Sequence, residues 1–134
     1  MEELLIRMRI IFMGTPTFAL PSLEKIYKEH EIISVFTKVD KPNARGKKIN
    51  YSPIKEFALA NDLKIYQPEN FKDSSLIEEI RNMQADLIVV VAYGKILPKE
   101  IIDMPKYGII NLHSSLLPRF RGAAPINAAI INGD

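Results

Sequence analysis

There is no cysteine in this chain, and that one absence removes disulfides, thiolate metal sites and cysteine nucleophiles together. It fits a reducing compartment. No apolar run reaches the roughly 20 residues that a membrane-spanning helix requires. The opening MEELLIRMRIIFMG has early acids and no small-residue cleavage site, so it does not read as a secretory signal. Repeats and low-complexity segments are lacking as well. Net charge is only +2, too small to announce a nucleic-acid partner by itself. The phosphate loop G-x-x-x-x-G-K-[ST], the dinucleotide fingerprint G-x-G-x-x-G and the serine elbow G-x-S-x-G are all missing. The two histidines, His30 and His113, fall in no cluster with metal-ligand spacing, so no metal is expected. His30 ends a helix beside acids and reads as a surface residue.

What remains is an ordinary globular composition. The 134 residues are 47% hydrophobic and 25% charged, which suits one folded domain. MRIIFMG (8–14) is a compact apolar run ending in glycine and predicts a buried strand. A helix follows, with Phe18, Leu23, Ile26 and Tyr27 at helical spacing and Thr17 placed to cap it. EIISVFTK (31–38) predicts a second strand. Residues 39–52 lack apolar periodicity and hold Pro42 and Gly46, which predicts a loop. SPIKEFALAND (52–62) opens with Ser then Pro, as helices do. LKIYQ is a short strand, and DSSLIEEIRNM a helix with Asp73 as its cap. ADLIVVVAYG (85–94) is apolar on both faces, as the middle strand of a parallel sheet is. PKEIIDM, YGIINLH and APINAAIING predict a short helix, a strand and a helix. This alternation argues for an α/β fold with a doubly wound, mostly parallel Rossmann-like sheet.

Three places can carry chemistry. In open α/β sheets ligands sit outside the carboxyl ends of the strands. Tyr93 and Gly94 fall at such an end, where Gly94 admits close approach to the backbone and Ile96, Leu97 and Pro98 can wall a flat ring. A helix-entry loop with buried leucines explains the same residues. Asn111 and His113 fall at another end, on one face of a strand together with Ile109. An amide there can donate to a developing oxyanion and an imidazole can move a proton near neutral pH, although a single histidine is usually structural. Gly14 reads first as the glycine of a tight strand–helix turn. Finally, KPNARGKK (41–48) holds four cations and no acid. It can grip phosphates of an anionic partner or stand as a solvated basic loop.

RIIFMGTPTFALPSLEKI, ARGKKINYSPIKEFA, DLIVVVAYGKILP and NLHSSLLPRFRGAAPINAAIINGD together resemble the folate-dependent formyltransferases, and within them the methionyl-tRNA formyltransferase family. The resemblance runs from about Met8 to the last residue. It implies transfer of a formyl group from 10-formyltetrahydrofolate to the methionine amino group of initiator Met-tRNA, in the cytoplasm, with no DNA or membrane partner. By the family pattern Asn111 and His113 are catalytic. Ala92, Tyr93, Gly94, Ile96 and Leu97, with Ser115, Leu116, Leu117 and Pro118, correspond to the folate-binding elements. Arg45, Lys47 and Lys48 correspond to the loop that approaches the tRNA acceptor end, with Ala44 where a glycine is common. A sugar-amine formyltransferase domain and a non-catalytic folate-binding module are the alternatives.

The resemblance also divides the chain into a short extension, residues 1–7, and a catalytic domain, residues 8–134. INGD closes a helix where a βαβ pattern would deliver another strand. The family's catalytic aspartate and its carboxyl-terminal tRNA-binding domain would both lie beyond it, and Asp134 does not match that aspartate. The expectation is an incomplete catalytic domain with little or no transferase activity of its own.

Overall fold

Hydrophobic strands alternate with amphipathic helices along the chain, and that order dictates the architecture. The structure is a computed structural model, and it describes residues 6–42 and 49–112. Strand β1 (Arg9–Gly14) leads through a 3-10 turn at Thr17–Ala19 into helix α1 (Leu20–Glu29) and strand β2 (Glu31–Phe36). Two very short strands, β3 (Lys41–Pro42) and β4 (Ile49–Asn50), precede helix α2 (Pro53–Ala60) and strand β5 (Ile65–Tyr66). Helix α3 (Ser74–Met83), strand β6 (Leu87–Val91), helix α4 (Lys99–Ile102) and strand β7 (Ile109–Leu112) complete the described part.

Five strands form one parallel sheet in the order β5-β2-β1-β6-β7. The chain winds one way from β1 through β2 to β5, then returns to β6 on the other side of β1. Residues from α1 and α2, including Leu23, Ile26, Ile54 and Ala58, therefore pack against one face with Phe12, Val89 and Leu112. Ile77 and Ile80 of α3 and Ile101 of α4 cover the other face with Ile11, Met13, Ile88 and Val90. Every residue of LIVVV in β6 is buried, because that strand has a neighbour on each edge and helices on each face. This is the doubly wound α/β sheet the alternation predicts.

Several local expectations change. Thr17 does not cap α1; it starts the 3-10 turn, and the cap residue Ala19 offers no side-chain hydrogen bond. Pro21 in the first helical turn removes an N–H that a cap would otherwise satisfy. Tyr27 is 39% exposed and turns its ring edge-on to Phe57, with centroids 5.4 Å apart, rather than entering the core. Residues 39–52 are not wholly loop, since β3 and β4 pair antiparallel through Lys41–Asn50 and Pro42–Ile49. Strands two residues long are invisible to periodicity. His30 is half-buried, and its Nδ1 accepts from the Met8 N–H at 3.0 Å, which ties the entry of β1 to the end of α1. The capping expectations hold at α2 and α3, where Ser52 accepts from the Lys55 N–H and Asp73 from the Ser75 N–H. The predicted helix at APINAAIING lies outside the described residues.

Gly14 ends β1 against β6. A Cβ there would stand 2.8 Å from the Val91 carbonyl oxygen and 3.2 Å from the Ala19 Cβ. Backbone cannot move aside cheaply, so Gly14→Ala is expected to destabilise the fold by about 1–3 kcal/mol, as overpacking does. A urea denaturation midpoint equal to that of the unsubstituted chain would contradict this.

Candidate active site

The strand order reverses at the boundary of β1 and β6, and ligand crevices in such sheets open above that boundary at the carboxyl ends. The chain departs from regular geometry at this point. Ala92, the residue after β6, has φ +52 and Gly94 has φ +84. A left-handed residue with a Cβ costs about 1–3 kcal/mol and such strain gathers at functional sites. The predicted strand 85–94 therefore stops at Val91 because Ala92 turns the chain out of the sheet.

Gly94 is needed for its positive φ and for its neighbour. A Cβ there would collide with Lys38 Cε and lie 2.7 Å from Lys38 Nζ, so the Lys38 side chain lies across this glycine. The close approach that a glycine permits is used on that side by Lys38, which sequence reasoning passed over. Tyr93 points the other way. Its side chain is 1% exposed and packs edge-on to Phe71, with centroids 6.3 Å apart. Burial pushes the phenol pKa well above its ordinary value, and the hydroxyl has no partner among the described residues. Of Tyr93, only the backbone faces the crevice side: its carbonyl accepts from Thr15 Oγ1 at 3.4 Å.

Beside this turn lies a cavity of about 510 Å³, lined by Val90, Ile96, Leu97, Ile109 and Asn111 together with the α4 region. That volume is in the range of small-molecule sites. Asn111 reaches it through strand alternation. Ile110 and Leu112 are buried in the face packed by α1 and α2, so Ile109 and Asn111 turn to the opposite face, beside Val90. Ile96 stands at the rim with 93% of its surface exposed. Of the residues singled out in the sequence, the structure thus brings Ile96, Leu97 and Asn111 onto one cavity. Ala92 and Gly94 shape the turn leading to it. His113, Ser115, Leu116, Leu117, Pro118, Arg45, Lys47 and Lys48 lie outside the described residues. Among the described residues no group of three His, Asp or Glu side chains is arranged to hold a metal ion, and no helix is long and apolar enough to cross a membrane.

A polar network joins the other strand ends, and no motif announced it. Thr37, fully buried, contacts Thr15 Oγ1 at 3.5 Å and Ser52 Oγ at 3.1 Å. Thr15 Oγ1 also accepts from the Lys38 N–H at 3.3 Å. Further out, Lys55 Nζ donates to Asp40 Oδ2 at 2.6 Å and to Gln67 Oε1 at 3.0 Å. Gln67 Nε2 donates in turn to Asp40 Oδ1 and to the Lys38 carbonyl. The hydrogen bond from the Lys55 ammonium holds the Asp40 carboxyl below the ordinary carboxylate pKa, against partial desolvation and with help from Gln67. The Asp40 carboxyl therefore stays ionised at neutral pH.

Comparison with known proteins decides the lineage. The family profile described as Formyl transferase matches residues 8–134. This chain belongs to the formyl transferase family. Among curated relatives, a methionyl-tRNA formyltransferase of Fusobacterium nucleatum subsp. nucleatum is 94% identical over 127 residues, covering 95% of this chain and 41% of that protein. A methionyl-tRNA formyltransferase of Clostridium tetani is 59% identical over 128 residues, with the same coverage of 95% and 41%. This formyl transferase chain therefore spans about two-fifths of the length of the relatives it matches. Among solved structures, glycinamide ribonucleotide transformylase 1 from Geobacillus kaustophilus superimposes with a TM-score of 0.55 at 18% identity, covering 92% of this chain and 66% of that one. The agreement is one of fold, and it is the fold expected of the family.

Proposed function

We propose that this chain provides the formyl-donor pocket and part of the catalytic apparatus of an enzyme transferring a formyl group from 10-formyltetrahydrofolate to the methionine amino group of initiator Met-tRNA. The observation that carries the reading is the convergence of Asn111, Ile96 and Leu97 on one cavity beside the turn at Ala92–Gly94. The relatives named methionyl-tRNA formyltransferase, at 94% and 59% identity, favour this branch over a sugar-amine enzyme. Residues 8–134 form part of the catalytic domain on this reading, and the reaction belongs to the cytoplasm.

The residues present suit a folate. Ile96 offers an apolar side chain that is almost wholly exposed, and covering it with a flat ring removes apolar area from water at about 25 cal/mol per Å². Val90 and Leu97 extend that surface. The turn at Ala92–Gly94 lies beside this surface, and Ser115–Pro118 are assigned to folate by family correspondence. When bound, the folate supplies the formyl group. The amine nitrogen forms the new bond to the formyl carbon, the bond from that carbon to the donor nitrogen breaks, and the proton lost by the amine is balanced by one gained at the donor nitrogen. Asn111 donates its amide N–H to the formyl oxygen as negative charge builds there, and His113 assists proton movement. Arg45, Lys47 and Lys48 hold phosphates near the tRNA acceptor end.

The test is a graft. Residues 8–134 replace the matching segment of the Fusobacterium nucleatum relative, and formylation of Met-tRNA is measured with 10-formyltetrahydrofolate. Activity equal to the parent supports the reading, and a folded graft with no transfer to Met-tRNA refutes it. The 134-residue chain alone, assayed beside it, is expected to show little or no transfer.

A further inference from the structure

Ile96 walls the cavity with 93% of its surface exposed, so packing of its own does not hold that side chain in place. Its position is set by the backbone that carries it. On one side Leu97 packs against the cluster that α3 and α4 bury, and Pro98 opens α4. On the other side the chain runs through left-handed Ala92 and Gly94, a shape that persists only where its surroundings enforce it. Two elements supply that enforcement. The segment between β5 and α3 grips the chain twice. Lys95 Nζ donates to the Glu69 carbonyl at 2.7 Å, and the buried Phe71 ring meets the buried Tyr93 ring edge-on. From the end of β1, Thr15 Oγ1 donates to the Tyr93 carbonyl at 3.4 Å while accepting from the Lys38 N–H. Lys95 also lines the cavity, yet its ammonium is turned to Glu69.

We infer that Lys95 and Thr15 are positioning residues for the donor pocket, pinning the turn before Ile96 so that its side chain stands ready as the wall for a flat ring. This rests on the proposed function, which puts the folate ring there. A wall held in advance need not be ordered when the ring arrives, and the donor binds more tightly for it. The hydrogen bond to Glu69 gives Lys95 a duty other than the one its charge suggests. An ammonium beside a folate cavity also suits a glutamate carboxylate, and the chemistry of the donor separates the two duties.

The test is Lys95→Met in the grafted enzyme with two formyl donors. One is 10-formyltetrahydrofolate, and the other an analogue whose glutamate is replaced by a simple amide, so that it carries no carboxylate. The substitution keeps an unbranched apolar stem and removes the group that donates to Glu69. The donor KM is expected to rise about fivefold for both donors alike, which is what ordering one wall side chain on binding costs. The kcat and the Met-tRNA KM are expected to stay within about twofold, since neither reacting group is touched. Thr15→Val, which keeps the shape and removes the hydroxyl, is expected to raise the donor KM in the same way, and Thr15→Ser to restore it. That pair decides the matter should Lys95→Met melt before assay. A rise confined to the glutamate-bearing donor makes Lys95 a carboxylate ligand and overturns the inference. So does an unchanged donor KM in either folded variant, or a Met-tRNA KM that rises as much, which marks general loosening. Those results leave the proposed function standing. An inactive but folded unsubstituted graft overturns both.

Discussion

Asn111→Ala in the grafted enzyme is expected to lower kcat for Met-tRNA formylation by about 10²–10³, with little change in either KM. That loss is what removing one oxyanion-hole donor costs in other acyl-transfer enzymes, about 3–4 kcal/mol of transition-state stabilisation. The split between kcat and KM follows from when the hydrogen bond matters. A formyl carbonyl in the ground state is a modest acceptor, and the oxygen gains charge only as the amine attacks. The location supports an effect confined to the chemistry. Asn111 pairs in register with Val90 in the parallel ladder, its backbone is held by β6, and its side chain faces the cavity rather than the α1–α2 core. Truncating a half-buried side chain there leaves the packing of Ile110 and Leu112 intact. Steady-state kinetics with a parallel thermal melt separates the two contributions. A variant that melts normally and retains more than about a tenth of the parental kcat would remove Asn111 from the catalytic role.

Phe12→Ala is expected to have the largest effect on stability, about 3–5 kcal/mol. Phe12 is 0% exposed in β1, the strand that carries β2 on one edge and β6 on the other. Its ring packs among Ala19 of the 3-10 turn and Leu23 and Ile26 of α1, and stands where a Cβ on Gly14 would meet Cε2 at 3.0 Å. Neighbours on rigid strands and a proline-anchored helix cannot collapse into the space, so a cavity remains. Against a total of about 5–15 kcal/mol for a domain, the loss consumes a fifth or more of the margin. The melting temperature is expected to fall by about 10–20 °C. A fall of less than about 5 °C would mean that the α1 face repacks, contrary to the rigidity argued from β1 and Pro21.

Much of the fold was legible because it is written in period and punctuation. LIVVV is apolar on both faces, and only a strand covered on both sides accepts that pattern. SPIKEFALA and DSSLIEEIRNM carry their own start signals, and Ser52 and Asp73 do cap them. Of the candidate site, strand alternation made only the facing of one residue legible. Asn111 was expected on the Ile109 face at a carboxyl end, and it opens on the cavity with Ile109. The readings that failed did so for local reasons. Thr17 has the chemistry of a cap, but the helix begins three residues later behind Ala19 and Pro21. Residues 39–52 have no period because the strands in them are too short to possess one.

The sequence by itself determined the strand–helix alternation, the parallel sheet that follows from it, and the amide at the end of β7, because each depends on chemistry repeated within a few residues. Tertiary structure alone decided what meets across the sheet. It laid Lys38 over Gly94, turned Tyr93 inward so that only its carbonyl serves the crevice side, and gathered Asp40, Tyr51 and Gln67 around the Lys55 ammonium. Those partners are separated along the chain by loops and whole elements, and no spacing rule links them. They meet because the parallel order β5-β2-β1-β6 stacks the carboxyl ends of four strands along one edge, where polar groups from each must satisfy one another.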